Sequence, residues 1–128
     1  MKIVQLLCIT ILLAAFGACG ASKSNGPEAT FDALVAAIKA RDLEAYRALW
    51  YPERAEREGQ VSELADNPRM WDELNEMFQG PLKLQEEGSR EDQGKTIRKF
   101  HVDSPEVEDG IGAISMIQDG DKWLMYSW

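Results

Sequence analysis

Two cysteines and one histidine in 128 residues leave little material for disulfides, thiolate metal sites or imidazole chemistry. Cations are also scarce, 14 lysines and arginines against 22 acidic residues for a formal charge of −8, so the basic footprint that nucleic acid requires is missing. No apolar run reaches the roughly 20 residues that cross a bilayer. There is no internal repeat, low-complexity tract, nucleophile elbow, phosphate loop or pair of metal-ligand histidines. "GIG" at residues 110–112 leads into a strand pattern rather than a helix, which excludes a dinucleotide fingerprint.

The apolar residues that open the chain have an export layout. Lys2 forms a short basic start, Ile3 to Phe16 an apolar stretch, and small residues follow. "FGAC", Phe16 to Cys19, resembles the lipobox of bacterial lipoproteins. That resemblance implies that residues 1–18 are removed as a signal peptide and that Cys19 is lipidated as the new N-terminus. An ordinary signal cleaved near Ala21, or an uncleaved anchor, are the alternatives. Cleavage at Cys19 discards Cys8 and, among the charges, only Lys2, so the mature chain is one unit more negative and has no second thiol to pair. Such a surface does not adhere electrostatically to anionic lipid, so the membrane is expected as a partner only through the N-terminal lipid.

Residues 19–26 are small and polar, a flexible tether, and the folded domain is expected over 27–128. Pro27 suits a first helical turn, with Phe31, Leu34, Val35 and Ile38 on one face up to Ala40. Asp42 caps a second helix, with Leu43, Tyr46, Leu49 and Trp50 inward until Pro52. The charged segment over residues 53–66 reads as a solvated connection with little core. Asn67 and Pro68 start a third helix carrying Met70, Trp71, Leu74, Met77 and Phe78, stopped by Gly80 and Pro81.

The second half changes to strand periodicity. Leu82 and Leu84 alternate with polar residues, "EEGSREDQGK" reads as turn material, Thr96 to Val102 as a strand, and "DSPEVEDG" as an acidic loop. Ile111 to Gln118 and Lys122 to Trp128 form a hairpin about an Asp119-Gly120 turn. That register places Met116, Trp123, Ile114 and Met125 on one face, and Ile111, Trp128, Ala113, Tyr126, Ser115 and Leu124 on the other. Both faces are apolar enough to require cover.

"GPEATFDALVAAIKARDLEAYRALW" and the closing "MIQDGDKWLMYSW" together resemble the nuclear transport factor 2-like, cystatin-like α+β superfamily, in particular small lipoproteins bearing this domain. The fold expected is α+β: about three N-terminal helices on a curved, cone-like antiparallel sheet of about four strands. The resemblance implies a conical pocket on the helix side and, on the opposite face, a surface for a homodimer. It implies no activity, because the fold hosts isomerases, dehydratases and cyclases as well as domains that only bind.

An enzyme of the ketosteroid isomerase type needs a carboxylate or histidine base in an apolar cavity. His101 alternates away from Phe100 and Val102 and so faces outward if that pair marks the core. Glu86 and Glu87, adjacent on a strand, point to opposite faces unless the strand bulges. Asp103, Glu106, Glu108 and Asp109 lack the spacing of a calcium loop and read as a solvated acidic loop. No catalytic residue, metal site or cofactor is assigned. Tyr46 and Trp50, one helical turn apart, and Trp71 are the candidate contacts for a small apolar ligand, although aromatic residues at helical spacing also simply pack. The leading expectation is therefore a lipid-anchored envelope domain that binds a small apolar ligand or a protein partner, with the enzyme and the homodimerisation module as alternatives.

Overall fold

A computed structural model describes residues 26–105 and 107–128. Cys19, the signal peptide, the tether up to residue 25, and Glu106 lie outside the described residues. Helices come first: α1 (Pro27–Ala40), α2 (Leu43–Ala48), α3 (Val61–Asp66) and α4 (Pro68–Met77). Four antiparallel strands follow in sheet order β1-β2-β3-β4: β1 (Lys83–Asp92), β2 (Lys95–Ser104), β3 (Val107–Asp119) and β4 (Lys122–Ser127). This is an α+β architecture with an open sheet, and no helix among the described residues is long and apolar enough to cross a membrane.

Local chemistry sets the helix ends. Pro27 and Pro68 occupy first-turn positions, where the missing N–H costs nothing, and Asp42 and Asn67 accept backbone N–H bonds from Ala45 and Arg69, each at 3.1 Å. The second helix stops at Ala48, short of Pro52, because residues 49–51 leave it to bond β4. Met125 N–H donates to the Leu49 carbonyl at 2.7 Å, and Tyr51 N–H donates to the Met125 carbonyl at 2.9 Å.

The charged connection carries more core than its composition implies. It includes α3, whose Val61 and Leu64 are fully enclosed, and Ala55 is buried beside them. Few apolar residues suffice when each is on the inward side of a turn. The Thr30 hydroxyl donates to the Trp123 carbonyl at 2.7 Å and ties α1 to β4. Asn75 Nδ2 donates to the Ile38 carbonyl at 3.0 Å, and Arg41 pairs with Asp72, which together fix α4 on α1.

Three strand expectations are corrected. "EEGSREDQGK" is mostly β1 and its turn: Asp92 pairs with Lys95 across Gln93 and Gly94, both at positive φ, the backbone of a type I′ hairpin. Much of the acidic "DSPEVEDG" is strand too, since β3 starts at Val107. The last hairpin turns at Gly120 and Asp121 rather than Asp119 and Gly120, so Asp119 pairs with Lys122, Ile117 with Leu124 and Met116 with Met125. With Gly120 at φ +66 in the first central position, the turn is of the II′ kind.

That register keeps Met116 and Met125 on the helix side. An irregularity follows: Ser115 pairs with Ser127, leaving Tyr126 as the extra residue of a bulge. One inserted residue inverts the alternation, so Trp128, expected on the face opposite to Met116 and Met125, instead packs among the helix-side aromatics. On the outer face Ile97 opposes Ile117, and both are buried although separate from the main core.

Candidate functional site

The main core is built around a cluster of rings. Tyr46 meets Trp50 at 6.1 Å between centroids, Trp71 edge-on at 5.7 Å, and Trp128 at 6.2 Å. Trp128 also lies 5.9 Å from Phe78, which meets Phe31. Such tilted and edge-on contacts suit the ring quadrupoles and add to the burial of apolar area. The Tyr46 hydroxyl donates to the Gly59 carbonyl at 2.8 Å. Burial pushes its ionisation well above the ordinary phenol range, with the Trp50 side chain opposing that shift. Trp50 Nε1 is buried without a hydrogen-bond partner among the described residues.

Beside this cluster opens a cleft of about 350 Å³ between α4 and β3. Met70, Leu74 and Met77 recur at helical spacing and form one wall, with Phe78 just beyond the helix end. The opposite wall is Ile111, Gly112, Ala113 and Ile114, four consecutive residues. A regular pleat sends alternate residues to opposite faces and does not present four in a row. Here Gly110 and Gly112 take φ of +76 and +126, and the pairing slips between Val102–Gly112 and Ser104–Val107, which twists the strand toward the cleft. Trp128 completes the lining, and the polar members are Gln60 and Glu73.

Glu73 is the one ionisable side chain in this lining. It is 64% exposed and 3.5 Å from Arg69, itself 84% exposed, an i,i+4 contact that water largely screens. The walls can therefore desolvate an apolar body while one carboxylate stays wet at the edge. Met77, half exposed, supplies a flexible and polarisable surface.

The three candidate ligand contacts read from the sequence come together, but behind the cleft. Tyr46 is fully buried, Trp50 and Trp71 nearly so, and none of them lines it. Tyr46 and Trp50 back Trp128, and Trp71 backs Tyr46. The lining of α4 was visible as a helical stripe, whereas its partner wall was hidden by the glycine twist. The sequence signal for the site was two methionines on the stripe of one helix together with "GIG" inside an apolar strand.

His101 is on the outer face, opposite to Phe100 and Val102, which are buried. Its Nε2 is 3.3 Å from Asp103 Oδ1 and its Nδ1 3.7 Å from Glu87 Oε1. Gly110 packs against the ring, since a Cβ there would come within 2.7 Å of Nε2. Glu87, at the register shift between Glu86 and Gly88, is on the outer face beside His101, while Glu86 pairs with Arg98 on the other. Among the described residues no group of three or more His, Cys, Asp or Glu side chains is arranged to hold a metal ion. Compared with protein-family models, with curated proteins and with solved structures, the chain matches none of them.

Proposed function

We propose that this chain is a lipid-anchored protein of the bacterial envelope whose nuclear transport factor 2-like domain binds a small apolar molecule between helices and a cone-like sheet. The observation that carries the reading is the cleft bounded by Met70, Leu74, Met77, Phe78, Ile111, Ile114 and Trp128. Its volume is at the lower end of the roughly 300–1,000 Å³ typical of small-molecule sites, and its walls are apolar with few polar groups. A proton-transfer site needs a base shielded from water, whereas Glu73 is exposed. The lipobox-like "FGAC" and the small tether after it support the anchor.

The two parts have separate tests. Intact mass of the membrane-extracted protein is expected to show a chain beginning at an acylated Cys19; a chain retaining Met1 or an unmodified Cys19 overturns the anchor. For the site, the full chain in nanodiscs with labelled methionine methyls is titrated with 1-octanol. Met70 and Met77 should shift, and Met116 and Met125 should not. Equal shifts in all four methyls, or no shift at all, count against a ligand in this cleft.

A further inference from the structure

Building on the binding reading above, we infer that the occupant of the cleft is a cationic amphiphile, an apolar chain or ring bearing an ammonium group. The apolar part fits the trough between Met70, Leu74 and Met77 on one side and Ile111 and Ile114 on the other. What selects the head group is charge. No lysine, arginine or histidine contributes to the lining, and its one ionisable side chain is Glu73. The chain as a whole carries −8, so the field over the mouth also disfavours an anion.

Glu73 is free to take a new partner. Its present contact with Arg69 is a long one between two exposed side chains of neighbouring helical turns, and it yields little when broken. The neighbouring Asp72 is already committed to Arg41, on the side of α4 that meets α1. A fatty acid or alkyl sulfate would bring its charge to a carboxylate, with the Gln60 amide and the Trp128 indole N–H as the side-chain donors in the lining. An alkylammonium meets complementary groups at the rim and apolar groups below it.

The test uses three ligands with the same eight-carbon chain: octyltrimethylammonium, 1-octanol and octyl sulfate, all below micellar concentrations. The full chain in nanodiscs is observed through the Met70 and Met77 methyls, with Met116 and Met125 reporting the state of the core. Half-saturation by the ammonium is expected at about a threefold to fivefold lower concentration than by the alcohol, the scale of an exposed ion pair, with the sulfate weakest. Glu73→Gln should bring the ammonium to the level of the alcohol while leaving the alcohol unchanged. Comparing the two proteins at equal ligand cancels partition into the bilayer.

Unaltered Met116 and Met125 signals in Glu73→Gln establish that the variant is folded. If all three ligands saturate alike, or if Glu73→Gln leaves the ammonium preference intact, the charge selection is overturned while the apolar cleft stands. If none moves Met70 or Met77, the binding reading falls with it.

Discussion

The indoles of Trp50 and Trp128 meet edge to face, their centroids 5.0 Å apart and their planes at 82°. Trp50 comes from the segment that leaves α2, and Trp128 follows the bulge of β4, so one contact joins the two halves of the chain. Trp128 in turn faces the cleft. Core and site therefore share a wall, and damage to either is expected to be read in both.

Trp128→Ala should lower stability by about 3 kcal/mol, the low end for an aromatic core truncation because Trp128 is only half buried. Urea unfolding measures the loss, and the same variant should no longer give the Met70 and Met77 shifts with 1-octanol. Retention of full stability would mean that the ring cluster does not depend on this residue.

Tyr46→Phe removes the bond to the Gly59 carbonyl and should cost about 1 kcal/mol at neutral pH. Its pH dependence has a definite sign. Burial raises the folded-state ionisation above that of a free tyrosine near about pH 10, so the hydroxyl contributes fully below that value and progressively less above it. The stability difference between wild type and Tyr46→Phe should shrink as pH rises from 9 to 12. A difference constant over that range would show that the hydroxyl titrates as it does in the unfolded chain.

Gly59→Ala tests the tightest backbone approach in the core. An added Cβ would sit 2.6 Å from the Ala55 carbonyl oxygen and 2.9 Å from the Trp50 ring, closer than such atoms approach without movement. Displacing a buried indole is expected to cost about 2 kcal/mol, seen as a lowered thermal midpoint. An unchanged midpoint would place Trp50 away from Gly59.

Gln93→Asn should stabilise. Gln93 holds φ +52 at the first central position of the β1–β2 turn, a conformation that a residue with a long side chain adopts at a cost and that asparagine tolerates. The Asn-Gly pair that results is the favoured sequence for this turn, and a gain on the order of 0.5 kcal/mol follows. Chemical denaturation resolves that difference, and a loss would contradict the turn type.

The sequence made the helices legible wherever a cap or a first-turn proline met a one-sided stripe, as at Pro27, Asp42 and Asn67 with Pro68. Phe100 and Val102 were legible as core for the same kind of reason, an unbroken alternation. The failures share a cause. Strand register depends on which two residues make a turn and where one extra residue is inserted, and a single-residue change reverses every face beyond it. Tyr126 does this to Trp128, and Gly110 and Gly112 do it to the β3 wall of the cleft. β1 was legible only at its start, around Leu84; beyond it the strand is almost wholly exposed, so no apolar pattern marks it.

The short parallel bridge between Trp50 and Met125 occupies the outer side of β4, while β1 has a neighbour on one side only among the described residues. The β1 edge is thus open along its whole length among the described residues. That rim is studded with Glu86, Glu87, Arg90, Glu91 and Asp92 and kinked at Gly88, features that discourage strand-on-strand growth. A polar, interrupted β1 is the chain's safeguard against edge-to-edge fibre growth.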